Sequence, residues 1–312
     1  MKLRSILTAA VAIVVGAAMA AGPAAAATED VKGPLVTGEW LEKNLDNPNV
    51  KIVEVSVEPG LYERGHIRGA QNVVWHTDLV DTVQRDIAKP DKFQALVQRL
   101  GINDDSIVVL YGDNNNWFAA WGAWVFDIYG VKNVKLLDGG RKKWEADKRP
   151  FDTRAVAVKP GNVKIADANT RLRARLADVV EASASKSAVI VDIRSADEYS
   201  GKIFAPPGSQ ELSVRAGHVP NAVNVVWSKA VAADGTFKPV DELKKIYAEA
   251  GIDGSKPVIT YCRIGERSSH TWFLLSKILG YDVRNYDGSW TEYGNSVGLP
   301  VTNLAGTVWG GK

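Results

Sequence analysis

Short runs of aliphatic and β-branched residues alternate along this chain with longer stretches whose apolar positions recur at helical spacing. Residues 51–55, Ile107–Tyr111, 189–193 and Val258–Tyr261 are apolar at nearly every position, the pattern of parallel strands buried on both faces. Between them, residues 91–100, 118–129, 240–250 and 268–279 read as helices, closed by Gly101, Gly130, Gly251 and Gly280. This alternation predicts an α/β fold in which each parallel β-sheet carries helices on both faces.

The pattern occurs twice. Gly65-His66-Ile67-Arg68-Gly69-Ala70-Gln71-Asn72-Val73-Val74-Trp75 returns as Gly217-His218-Val219-Pro220-Asn221-Ala222-Val223-Asn224-Val225-Val226-Trp227, and both the histidines and the tryptophans are 152 positions apart. Ile107-Val108-Val109-Leu110-Tyr111-Gly112 likewise matches Val258-Ile259-Thr260-Tyr261-Cys262, and Leu137-Asp138-Gly139-Gly140 matches Tyr286-Asp287-Gly288-Ser289. The second copy holds about fourteen extra residues between Tyr199 and His218. The organisation expected is a leader over 1–27, a first domain over 28–157, a linker over 158–175 and a second domain over 176–312. Arg171, Arg173 and Arg175 of the linker are expected to face solvent.

The leader reading comes from a short cationic start (Lys2, Arg4), an apolar run from Ile6 to Ala20 and small residues up to Ala27, the pattern of a cleaved export signal. A periplasmic or secreted protein without a stable membrane anchor is expected. Removing Lys2 and Arg4 lowers the basic count from 38 to 36, equal to the acidic count, so no charge excess points to nucleic acid. Cys262 is the single cysteine, which excludes an internal disulfide, a Cys-rich metal site and a Cys-x-x-Cys redox pair.

Duplication also supplies an internal control: residues shared by both copies serve the fold, and residues peculiar to one are candidates for chemistry. His66, His218, Trp75, Trp227 and the Asp-Gly pairs fall in the structural class. The copies part company at Cys262-Arg263-Ile264-Gly265-Glu266-Arg267-Ser268-Ser269-His270, where the first has Gly112-Asp113-Asn114-Asn115-Asn116-Trp117. This segment follows a strand and precedes a helix, the sheet edge at which α/β folds place ligands. A loop curled around the sulfur would present backbone N–H groups and a helix terminus, a field expected to favour thiolate. Arg194, Arg263 and Arg267 occur only in the copy with the cysteine and suit a small oxyanion. Ser268 and Ser269 are expected as helix caps and His270 in packing, while Glu266 is left between solvent and an arginine partner.

These tandem copies, the Asp192-Ile193-Arg194 strand end, the Gly217 to Ala222 segment and the Cys262 to Ser269 loop resemble the two-domain rhodaneses, the thiosulfate sulfurtransferases. The resemblance covers nearly the whole chain after the leader. It implies two tandem rhodanese-like domains, an inert amino-terminal copy and a nucleophile, Cys262, in the carboxyl-terminal copy at a cleft between domains. Arg263 and Gly265 match the Cys-Arg-Lys-Gly-Val-Thr loop of animal thiosulfate-using members; Ile264 stands in place of its lysine and Arg267 in place of its threonine. The implied reaction is a double displacement through a Cys262 persulfide, releasing sulfite and passing sulfur to a thiophilic acceptor, cyanide or a thiol. Cys262 is then the catalytic residue; Arg194, Arg263, Arg267 and Gly265 bind substrate, and neither a metal nor an organic cofactor is required. Alternatives are a 3-mercaptopyruvate sulfurtransferase and a persulfide carrier or docking protein. A cysteine phosphatase fits less well, because only four residues separate Cys262 from Arg267, where those enzymes place five.

Overall fold

The computed structural model describes residues 31–209 and 213–308, so the leader expected over 1–27 lies outside the described residues. The first copy contains strands β1 (Leu35–Val36), β2 (Val50–Glu54), β3 (Gln71–Asn72), β4 (Ile107–Tyr111) and β5 (Val134–Leu137), all parallel in the order β1-β5-β4-β2-β3. The second contains β6 (Val189–Asp192), β7 (Val223–Asn224), β8 (Val258–Tyr261) and β9 (Val283–Tyr286), parallel in the order β7-β6-β8-β9. Helices α1 (Gly38–Lys43), α2 (Leu61–Arg64), α3 (Pro90–Arg99), α4 (Trp117–Ile128) and α5 (Gly140–Ala146) belong to the first copy. Those of the second are α6 (Leu176–Ser185), α7 (Ala196–Ser200), α8 (Val240–Ala248), α9 (Glu266–Phe273) and α10 (Ser289–Tyr293). Helix α9 begins two residues before the position expected from sequence and passes into a wider π turn over Leu274–Ile278.

Successive strand residues point to opposite faces, and each face meets its own helices. Val53, Val108 and Leu110 enter a core that contains residues of α3 and α4; Ile52, Val109 and Tyr111 face Leu41 and Trp144 on α1 and α5. In the second copy Val191, Val258 and Cys262 belong to the same core as α4, whereas Ile190, Ile259 and Tyr261 face residues of α6 and α10. One core therefore runs through both domains, with α4 packed on α9 at its centre. Nine of the twelve α4 residues are buried, as expected of a helix apolar on almost every side.

The histidines shared by the copies are structural in both. His66 stacks on Tyr62 with ring centroids 3.8 Å apart and binds the Tyr62 carbonyl; His218 does the same with Tyr199 at 3.6 Å. Each also makes an antiparallel bridge, to Asp152 and Thr302 respectively.

The linker corrects one expectation. Arg173 does not face solvent: its side chain is 9% exposed, and it clamps Asp287 through two hydrogen bonds of 2.7 and 2.8 Å while also pairing with Asp86 of the first domain. Arg173 bridges to Asn285 in parallel, and the Ala174 N–H donates to the Asn285 carbonyl, the place that β1 takes beside β5 in the first copy. The linker end reads as a solvated face in the sequence because it completes a sheet edge that the chain reaches only after folding. Replacing Arg173 by alanine leaves buried Asp287 without this partner and is expected to destabilise the protein by about 3 kcal/mol, read from its urea unfolding transition.

Candidate active site

Strand β8 ends at Tyr261, and the chain then turns around the sulfur of Cys262 before entering α9. Gly265, at φ +100°, makes this turn possible: a Cβ there would lie 2.7 Å from the Asp287 Cα. The Gly265 N–H donates to Cys262 Sγ at 3.1 Å. From below, α10 grips the loop, with Ser289 Oγ accepting the Cys262 N–H at 3.1 Å and the Trp290 and Thr291 N–H groups donating to the carbonyls of Cys262 and Arg263.

The first domain reaches the same loop. Arg85 donates to the Ile264 carbonyl at 3.2 Å and to the Asp287 carbonyl at 3.3 Å. The Ile264 carbonyl and the Gly265 N–H are two ends of one peptide unit, so a guanidinium holds one end while the other points at the sulfur.

Cys262 is completely buried, and here the thiolate expectation needs correction. Burial, followed by the charge of Glu266, pushes its pKa up; Arg267 and Ser268 act in the opposite direction without prevailing. Instead of a bare thiolate, the resting site holds a thiol that donates to Glu266 Oε2 at 3.3 Å. Nothing local in the sequence tells which face of the loop turns inward, so Glu266 has no place assigned from sequence; its spacing of four residues from the cysteine is the available signal.

The arginines separate. Arg263 and Arg267 line a cavity of about 650 Å³ between the domains, whose opposite wall is formed by Trp75, His76, Trp117 and Phe118. Arg267 is held there by two 3.1 Å hydrogen bonds to Glu198, at the first turn of α7, and Glu198 is itself fixed by the Ser195 hydroxyl. Arg194, in contrast, is not among the cavity's lining residues. Its guanidinium binds Asp192, with a shortest contact of 2.6 Å, and the Gly217 carbonyl at 2.7 Å, and it lies over the Trp290 ring.

The structure places Arg194 beside Asp192 rather than on the cavity wall, and the internal comparison explains that placement. The first copy has a matching buried cluster in which Glu54 receives the Tyr111 hydroxyl and Arg141; in the second, Asp192 receives the Tyr261 hydroxyl and Arg194. Both copies need a cation beside the buried acid, but they draw it from different elements, so a position-by-position comparison made Arg194 look unique.

Ser268 and Ser269 do not cap α9 as acceptors; both hydroxyls donate to the Gly265 carbonyl, at 3.0 and 2.7 Å. His270 stacks on Phe237 at 4.5 Å, and burial keeps it neutral down to about pH 3. At Gly112, the counterpart of Cys262, a Cβ would lie 2.1 Å from the Val55 carbonyl oxygen. The first copy has no space there for a cysteine side chain.

With this geometry established, the comparisons are specific. The rhodanese-like domain model matches twice, over residues 37–147 and 176–296. The chain belongs to the rhodanese family. This rhodanese is 51% identical over 269 residues to a Mycolicibacterium smegmatis protein named "Putative thiosulfate sulfurtransferase", covering 86% of this chain and 96% of the relative. It is 45% identical over 273 residues to the sulfur carrier protein TtuD of Thermus thermophilus, covering 86% and 95%. Among solved structures, the SseA 3-mercaptopyruvate enzyme of Escherichia coli aligns with a TM-score of 0.71 at 28% identity, over 83% of this chain and 99% of that one. The tandem α/β rhodanese domains and a sulfurtransferase activity acting between a sulfur donor and an acceptor follow.

Two predictions come from the site. Arg194→Ala is expected to lower stability by about 3 kcal/mol, because buried Asp192 loses its cation, while the folded variant keeps the wild-type KM for the sulfur donor; urea unfolding and steady-state kinetics read the two effects. For His270 the folded pKa lies below the unfolded value of 6.5, so unfolding takes up a proton as pH falls below about 6.5, and the neutral imidazole's contribution to stability is lost progressively toward pH 3. His270→Phe should reduce the acid-side slope of the stability profile by up to about 1.4 kcal/mol per pH unit.

Proposed function

We propose that this rhodanese transfers the outer sulfur of thiosulfate to a thiophilic acceptor through a persulfide on Cys262. The observation carrying this reading is a lone buried thiol, met by the Gly265 N–H at 3.1 Å, in a loop whose Arg263 and Arg267 line the inter-domain cavity. In the first half-reaction the Cys262 sulfur, as thiolate, forms a bond to the outer sulfur of thiosulfate; the sulfur–sulfur bond within the donor breaks and its electron pair leaves on sulfite. Arg263 and Arg267 attract the sulfonate, and the Gly265 N–H supports negative charge on the cysteine sulfur. In the second, cyanide or an organic thiolate attacks the outer persulfide sulfur and Cys262 departs. Gly265 serves by its backbone, which is why no side chain is accommodated there.

The sulfur carrier relative supports a second reading, in which the persulfide is delivered to a protein partner and small acceptors turn over poorly. The 3-mercaptopyruvate structure keeps that donor as an alternative. The phosphatase reading loses ground because Tyr261, standing where those enzymes carry histidine, has its hydroxyl committed to Asp192 at 2.6 Å. We also infer that residues 1–27 direct export to the periplasm or medium and are removed. Terminal sequencing of the protein isolated from cells is expected to start near Ala27 rather than at Met1.

Incubation with thiosulfate, followed by intact-mass measurement, is expected to show one added sulfur and one equivalent of released sulfite. Cys262→Ser should show neither. Many turnovers with cyanide and parallel-line kinetics identify the enzyme; a single transfer followed by arrest identifies the carrier, and sulfur uptake from 3-mercaptopyruvate alone replaces the donor.

A further inference from the structure

The Cys262–Glu266 contact has no part in the transfer just described, yet it is the closest acid to the reacting atom. Glu266 is buried, accepts from the thiol at 3.3 Å through Oε2, and has its other oxygen 3.6 Å from Arg267 Nε. It is also among the residues lining the inter-domain cavity, so the residue that meets the sulfur borders the space from which a donor arrives. A carboxylate fixed beside a nucleophilic sulfur opposes thiolate formation unless that carboxylate takes the proton. When it does, the negative charge moves to a sulfur already facing the Gly265 N–H.

We propose that Glu266 is a catalytic residue of this site, a proton store that takes the Cys262 proton before attack and returns it when Cys262 leaves. The inference rests on the persulfide reading above. Before attack, the proton crosses from Sγ to Oε2, giving thiolate and carboxylic acid. The thiolate bonds to the outer sulfur of the donor, and sulfite departs with the electron pair, leaving a persulfide anion beside protonated Glu266. An acceptor thiolate or cyanide then takes the outer sulfur; the Cys262 thiolate released recovers its proton from Glu266, and no external acid is consumed. The charged and titratable groups around the pair include Arg267 on α9, its partner Glu198 on α7, Arg263 in the loop, His76 on the opposite wall of the cavity, and Arg85 and Asp287, which pack on the loop at Ile264 and Gly265. His270 lies one turn along α9 but is buried in its stack with Phe237.

The test follows Cys262 alkylation by iodoacetamide from about pH 5 to pH 10, and separately single-turnover sulfite release from thiosulfate, in wild type and Glu266→Gln. Wild-type alkylation is expected to plateau below the thiol's own titration range. Glu266→Gln should lose that plateau, alkylate more slowly at neutral pH, and release sulfite on the order of 10²-fold more slowly at saturating thiosulfate with little change in half-saturation. Faster alkylation of Glu266→Gln at neutral pH would overturn the proposal, because that is the result of deleting a merely repulsive charge. Should this variant not fold, infrared difference spectra of the wild type, loaded with persulfide from inorganic polysulfide, decide the matter: a protonated-carboxyl band supports the proton store and its absence overturns it. A Glu266-dependent alkylation plateau in a protein that takes no sulfur from thiosulfate would refute the donor assignment while leaving the proton store standing.

Discussion

The docking of α4 on α9 is the interaction on which the remaining architecture depends. Helix α4 has little polar surface to offer water, and α9 buries every one of its eight residues, so both would expose apolar surface if they parted. Apolar burial at roughly 25 cal/mol per Å² makes separating them costly in proportion to the area exposed. The two copies consequently share a core, and the cavity at the cysteine loop acquires walls from both. Arg173 and Arg85 reinforce the arrangement at its polar edge, one clamping Asp287 and the other holding the Ile264 carbonyl.

Duplication followed by divergence is visible at the level of single atoms. Both copies keep a histidine stacked on a tyrosine and a buried acid bonded to a tyrosine hydroxyl, because each pair ties a loop to the end of a central strand. What differs is the turn after that strand. The first copy fills it with Gly112 packed against the Val55 carbonyl and with three consecutive asparagines at left-handed φ; the second opens it around a sulfur. The first domain supplies Arg85 and an aromatic wall to the cavity at the cysteine loop of the second.

The electrostatics of that site are those of a buried nucleophile kept neutral at rest. Desolvation opposes charge on Cys262, and the nearest carboxylate adds to the opposition, while a backbone N–H and a guanidinium stand ready for negative charge on sulfur once it develops. Arg267 is aimed by Glu198 instead of being left mobile, so little side-chain entropy remains to be lost when an anion binds.

The sequence alone determined the tandem α/β plan, the position of the cysteine loop and the structural role of the paired histidines, because hydrophobic period and internal repetition are local properties. Tertiary structure decided the rest. Arg194 looks peculiar to one copy because its counterpart, Arg141, comes from another element of the other copy, and charge balance in a core is settled among side chains distant along the chain. Arg173 looked solvated until the sheet edge it completes existed. Glu266 and Arg85 acquired meaning only through folding: the direction of one loop residue, and the contact of a turn 179 positions away from Ile264, follow from how two domains bury their apolar faces together.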